Sequence, residues 1–253
     1  MNNEKNSSNM NIKKRYIVIG IIVLILCILI CGFFVYFNDY YRADSYAKTF
    51  LESSEQVKVE KINNGYYFNG QGKDTTIIFY PGAKVEAISY APLLYELAEE
   101  GIDCFLIEMP FNFALFNQKA ADEIIDKANY EYKNWYLAGH SLGGVVASMY
   151  ESKNSDKIKG LILLASYPNQ QLSDNTRLLF VYGNKDSVIN LEQYEKSKQY
   201  WSKNSIETLI EGGNHAQFGN YGVQEGDNEA DITTEEQQRQ TITAIVDFVK
   251  ESN

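Results

Sequence analysis

Leu137-Ala138-Gly139-His140-Ser141-Leu142-Gly143-Gly144 stands between an apolar run, Trp135–Ala138, and a segment of helical period, Leu142–Ser152. Ser141 is the centre of a Gly-x-Ser-x-Gly placed at a strand-to-helix junction. Small residues two before and two after the serine permit a sharp turn that holds its hydroxyl in a strained backbone conformation. The helix start beneath it offers free N–H groups and a positive dipole end to a developing anion. The five-residue pattern alone is common, and a glycine-rich packing turn is the bland alternative. Its position between strand and helix is what makes Ser141 a candidate nucleophile.

The segments around this turn follow one alternation. β-rich runs occupy Val57–Ile62, Tyr66–Asn69, Thr75–Tyr80, Cys104–Met109, Trp135–Ala138, Ile158–Ala165, Arg177–Tyr182 and Ile206–Ile210. Several are continuously apolar, as strands covered on both faces are. Helix-period segments lie at Tyr90–Glu100, Ala120–Tyr132, Leu142–Ser152, Leu191–Trp201 and Thr234–Val249. The order predicts an α/β fold, a mainly parallel sheet flanked by helices. Asn63-Asn64-Gly65 reads as a hairpin turn, so the sheet is expected to begin antiparallel. Ligands of such sheets sit beyond the carboxyl ends of the strands.

A serine hydroxyl needs a base. The chain has two histidines. His140 adjoins the nucleophile, where the tight turn aims its side chain elsewhere. His215 follows the run ending at Ile210, behind Gly212 and Gly213. An imidazole is mostly neutral at pH 7, as a general base must be. It needs a carboxylate to fix its tautomer, in the chain order serine, acid, histidine. Among the acids between 141 and 215, Asp186 alone lies in a loop directly after a strand, Arg177–Tyr182. An oxyanion needs two donors. The N–H of Leu142 is one. The other comes from the loop Pro81-Gly82-Ala83-Lys84, with Ala83 favoured and Gly82 allowing close backbone approach.

The N-terminus differs from the rest. Tyr16–Phe37 is 22 residues without a charge, long enough as a helix to span roughly 33 Å of hydrocarbon. Lys13, Lys14 and Arg15 precede it, which keeps the N-terminus cytoplasmic and the bulk outside. Bulky Phe33–Phe37 offers no small-residue cleavage site, so an uncleaved signal-anchor is expected rather than a signal peptide. The expected organisation is a polar, disordered cytoplasmic tail at 1–15, a transmembrane anchor at 16–37, a stalk or short helix at 38–55 and one domain at 56–253, with the protein single-pass in the cell membrane and its catalytic domain extracytoplasmic. The whole chain carries a formal charge of −10. Without Glu4, Lys5, Lys13, Lys14 and Arg15 it retains 19 basic and 32 acidic residues, which disfavours a nucleic-acid partner. Cys104 is the one cysteine beyond the apolar run, so that part has no internal disulfide.

With these residues in place, the sequence resembles the α/β-hydrolase family from about Thr75 to Val249. More narrowly, it resembles a bacterial branch that carries Tyr80–Val85 (YPGAKV), Tyr90–Leu93 (YAPL), Glu108–Asn112 (EMPFN), Gly139–Gly144 (GHSLGG) and Gly212–Gly219 (GGNHAQFG). The resemblance implies the triad Ser141, Asp186 and His215, a two-step acyl-enzyme route, and no cofactor or metal. Relatives in that branch include dienelactone hydrolases and esterases. The former usually carry a cysteine nucleophile, whereas position 141 is serine, so a small carboxylic ester or lactone is the expected substrate. No long insertion follows a strand, and no separate cap is expected. Phe111 and Phe113 after one strand, and Phe218 and Tyr221 after His215, are candidate pocket residues, with core packing the competing explanation. Two other functions fit the same motifs: an acyltransferase acting on a cell-envelope polymer, and a non-catalytic surface binding module.

Overall fold

In the computed structural model, which describes residues 2–127 and 130–251, the strands are β1 (Lys58–Ile62), β2 (Gly65–Asn69), β3 (Thr75–Tyr80), β4 (Asp103–Ile107), β5 (Asn134–His140), β6 (Gly160–Leu164), β7 (Arg177–Gly183) and β8 (Ser205–Ile210). They form one sheet in the order β1-β2-β4-β3-β5-β6-β7-β8. β1 and β2 make the expected hairpin, with Ile62 opposite Gly65. β2 pairs antiparallel with β4, and every pairing from β4 through β8 is parallel. This is the α/β-hydrolase fold anticipated above.

The helices are α1 (Asn2–Asn38), α2 (Ser45–Thr49), α3 (Ala91–Glu99), α4 (Asp122–Ile125), α5 (Leu142–Glu151), α6 (Leu191–Ser197) and α7 (Thr234–Lys250). Every residue of β3, β4 and β6 is buried, which explains why those runs lack polar alternation. Successive side chains of a strand point to opposite faces. Ile77 and Phe79 therefore join the core under α3 and α7, while Ile78 and Tyr80 join the core on the opposite face. Each such side chain contributes about 1.5–3 kcal/mol by leaving water.

Three expectations are corrected. The helix read over Ala120–Tyr132 is realised as the four residues of α4, and residues 128 and 129 lie outside the described residues. Beyond α4, Tyr130 and Tyr132 dock their rings on Phe105, and the Tyr132 hydroxyl donates to the buried Asp103 carboxylate. Tertiary contacts by alternate residues outweigh helical propensity here. The segment 38–55 is not a free stalk, because from Tyr40 onward the chain belongs to the compact unit that ends at Asn253. The Tyr41 N–H donates to the Lys84 carbonyl at 2.7 Å, the Glu86 N–H donates to the Tyr41 carbonyl at 2.9 Å, and the Ala43 N–H donates to the Glu86 carboxylate at 2.8 Å. The Asp44 side chain then caps α2, and Ala47 is fully buried. Finally, α1 begins at Asn2, so the polar start expected to be unstructured is helical.

Met1–Asp39 forms a separate unit. Within it, Arg15–Asn38 comprises 24 residues with a mean hydropathy of 3.4 over its most apolar window and none of that window buried. By length and composition it is able to cross a bilayer.

Candidate active site

Among the described residues, five other than glycine have positive φ: Lys84 (57°), Phe111 (55°), Asn112 (53°), Ser141 (51°) and Ala165 (46°). They follow the carboxyl ends of β3, β4, β5 and β6, which are adjacent in the sheet. Each such conformation costs roughly 1–3 kcal/mol and persists where surrounding structure imposes it. Strain is thus concentrated on one edge of the sheet.

Ser141 is the turn between β5 and α5, at φ 51° and ψ −126°. Its N–H donates to the Leu164 carbonyl of the next strand at 3.0 Å. The flanking glycines are required by close approach. A Cβ on Gly139 would lie 2.5 Å from the Gly144 nitrogen, and one on Gly143 would lie 2.1 Å from the Tyr80 carbonyl oxygen.

Asp186 follows β7 and His215 follows β8. His215 Nδ1 lies 2.8 Å from Asp186 Oδ2, with both side chains almost wholly buried. The second carboxylate oxygen, Oδ1, accepts the N–H groups of Val188 at 2.9 Å and Ile189 at 2.8 Å. The aspartate is therefore held from its own loop while its free edge meets the imidazole. Ser141 and His215 line one cavity of about 230 Å³ together with Leu142, Val145, Ala165 and Ile189. Among the described residues His215 Nε2 is buried and has no hydrogen-bond partner. Asp186 and His215 are thus joined directly. Ser141 shares their cavity without a hydrogen bond to the imidazole.

The loop after β3 has its N–H groups sorted by their partners. The Gly82 N–H donates to the Tyr90 hydroxyl at 3.2 Å. The Lys84 N–H donates to the Asn112 carbonyl at 2.8 Å. The Ala83 N–H donates to no acceptor among the described residues. Of the two loop residues named from sequence, Gly82 is thus already engaged and Ala83 is available.

His140, set aside in the sequence as pointing away from Ser141, does turn away, and into an organised position. Its Nδ1 lies 2.8 Å from the Tyr90 hydroxyl, and its ring stands 4.5 Å from the His215 ring. Burial first, and the neighbouring His215 second, push its pKa well below the usual imidazole range. The Tyr-Ala-Pro-Leu motif was the sequence signal for this contact, since Tyr90 is its first residue.

The four expected pocket residues do not line the cavity. Phe218 is fully buried and packs 5.6 Å from His140. Tyr221 is buried against Tyr41. Phe111 is 47% exposed and pairs with Phe116, and Phe113 packs on the same Phe116. The walls come instead from the loops after β6 and β7, through Ala165, Ser166, Tyr167, Val188 and Ile189. Among the described residues no group of histidine, cysteine, aspartate and glutamate is arranged to hold a metal ion.

A profile described as "Alpha/beta hydrolase family" matches residues 76–239. No curated protein matches the chain. Similar solved structures include Est1E from Butyrivibrio proteoclasticus, at 16% identity and TM-score 0.54, covering 78% of this chain and 99% of that one. The Pyrobaculum calidifontis esterase is similar at 14% identity and TM-score 0.59, covering 81% and 90% respectively. A monoacylglycerol lipase from Paleococcus ferrophilus is similar at 14% identity and TM-score 0.56, covering 76% and 99%. At these identities the likeness is one of fold.

Proposed function

The chain belongs to the alpha/beta hydrolase family, and on that premise we propose that it is a serine hydrolase of small carboxylic esters or lactones. The observation that carries the reading is the buried Asp186–His215 pair, whose histidine has its Nε2 unpartnered and lines the cavity that Ser141 also lines. A neutral imidazole held at Nδ1 by a carboxylate has its other nitrogen free to accept a proton.

In this mechanism the Ser141 side chain turns toward Nε2 as substrate fills the cavity, a tightening expected of unliganded sites. Nε2 takes the hydroxyl proton while Oγ forms a bond to the carbonyl carbon. The carbonyl π electrons move to oxygen, which rests on the N–H groups of Leu142 and Ala83. Collapse breaks the bond to the leaving alkoxide, which takes the proton from Nε2. Water then loses a proton to Nε2, attacks the acyl carbon and releases the acid, and the proton returns to Ser141 Oγ. Asp186 stays ionised throughout and stabilises the imidazolium in each half.

The esterase and lipase named among the similar structures agree with this chemistry. Arg15–Asn38 serves as a single-pass anchor, and the basic cluster Lys13-Lys14-Arg15 places the catalytic domain outside the cytoplasm. Protease added to intact cells should digest the domain, and protection of the domain would reverse this topology.

The decisive experiment is labelling with a fluorophosphonate. The intact protein should be labelled and should cleave p-nitrophenyl esters, and Ser141→Ala should lose both. A folded wild-type protein that neither labels nor cleaves any ester or lactone in a panel would overturn the assignment.

A further inference from the structure

Tyr90 and His140 do not line the cavity and are 50 positions apart in sequence, yet they connect the parts on which the proposed reaction depends. The Tyr90 hydroxyl is fully buried between two partners, the Gly82 N–H at 3.2 Å and His140 Nδ1 at 2.8 Å. A peptide N–H only donates, so the hydroxyl accepts from Gly82 and its single proton is directed to His140. This fixes Nδ1 as an acceptor and places the ring hydrogen of His140 on Nε2. His140 is itself fixed from three sides. It follows Gly139 in β5 and precedes Ser141. Its ring stands 5.6 Å from Phe218 and 4.5 Å from His215.

We infer that Tyr90 and His140 act as a positioning pair, which orients the loop carrying the Ala83 N–H and backs the ring of His215. The inference rests on the serine-hydrolase reading above. Its physical content is that one hydroxyl selects the donor. By engaging the Gly82 N–H it holds the Pro81–Gly82 peptide, the one preceding the peptide that carries the Ala83 N–H. Together with the Lys84 N–H bond to Asn112, it leaves the Ala83 N–H as the loop's free donor at that edge. Behind His215, a neutral ring lets the imidazolium form without like-charge repulsion. A cationic His140 would oppose that step and would have no lone pair for Tyr90. The motifs at Tyr80–Val85, Tyr90–Leu93, Gly139–Gly144 and Gly212–Gly219 thus meet in one buried cluster.

The test uses the full-length protein and three variants, Tyr90→Phe, His140→Asn and His140→Leu, with active sites counted by fluorophosphonate titration. Asn offers a carbonyl oxygen near the place of Nδ1, and Leu offers volume alone. Misplacing one reacting group by about 1 Å costs up to roughly a hundredfold in rate. Tyr90→Phe should therefore lower kcat per active site by about tenfold to a hundredfold with little change in KM. His140→Leu should do the same, and His140→Asn should recover most of the loss. A wild-type enzyme that cleaves esters, with Tyr90→Phe retaining full kcat per site or with the Asn and Leu variants equal, would overturn the positioning role and leave the hydrolase reading intact. A wild-type protein without label or turnover would remove both.

Discussion

Asp186 divides its two carboxylate oxygens between two tasks: Oδ2 lies 2.8 Å from His215 Nδ1, and Oδ1 accepts the N–H groups of Val188 and Ile189. The pairing explains why an amide would be so damaging there. In Asp186→Asn the amide oxygen keeps the two loop bonds, and the NH₂ group faces Nδ1. The imidazole then carries its hydrogen on Nε2 and is unable to accept the serine proton. We expect kcat to fall about 10⁴-fold, with a thermal midpoint close to that of wild type. An Asn variant of near-normal kcat would show that another group orients His215.

Gly143→Ala should unfold the junction rather than merely slow it. The added Cβ would meet the Tyr80 and Pro81 carbonyl oxygens at 2.1 and 2.3 Å, and both belong to backbone that is unable to rotate away. A loss of about 3 kcal/mol or more is expected, read from urea midpoints. Gly222→Ala is the comparison for steric crowding. Nothing lies within 4 Å of a Cβ there, and its cost is confined to the positive φ of 82°.

The cavity of about 230 Å³ beside Ser141 is below the roughly 300–1,000 Å³ of drug-sized ligand sites. Short acyl chains should therefore be preferred. Across p-nitrophenyl esters, kcat/KM for butyrate should exceed that for laurate by about tenfold or more, since a methylene is worth about 1–3 kcal/mol in a fitted pocket. Ile189→Ala opens one wall and should narrow that ratio. An unchanged ratio would place the acyl chain elsewhere.

His140 gives the folded state a defined pH response. Burial, then His215, hold its pKa well below the ordinary 6.5. As pH falls through about 6.5 the unfolded chain binds a proton that the folded chain refuses. Stability should thus decline from there down to the depressed folded value, by up to about 1.4 kcal/mol per pH unit. Above 6.5 the residue contributes no slope. Buried Asp103 and Glu151 have raised pKa values, with burial the largest cause. They therefore act with the opposite sign, losing stability as pH rises through their folded values. Urea midpoints between pH 7.5 and 5.0 should show a shallower dependence in His140→Asn, where that one proton is missing and the carboxylates are unchanged.

Much of this architecture was legible because its determinants are local. β3 matches its expected limits at Thr75 and Tyr80, and α5 starts at Leu142 as expected. Position after a strand singled out Asp186 and His215, and the structure joins them. What was not legible depends on contacts distant in sequence. Phe218 and Tyr221 face the core rather than the cavity, and an aromatic residue after a strand looks the same in either setting. The donor status of the Ala83 N–H depends on Tyr90, at the end of the same connection, and on Asn112, which arrives from the loop after β4. Tyr41 pairs with residues more than forty positions away, which no periodicity records.

That pairing bears on where the chain can be cut. The family profile starts at residue 76, whereas Tyr41 clasps residues 84 and 86 and is itself packed on Tyr221. A cut ahead of Tyr40 would leave the compact unit with this clasp intact. A nick between α2 and β1 would keep every residue of the candidate triad and yet leave the clasp on the loop that carries Ala83 held by noncovalent contacts alone. The shortest piece that keeps it accordingly begins at Tyr40.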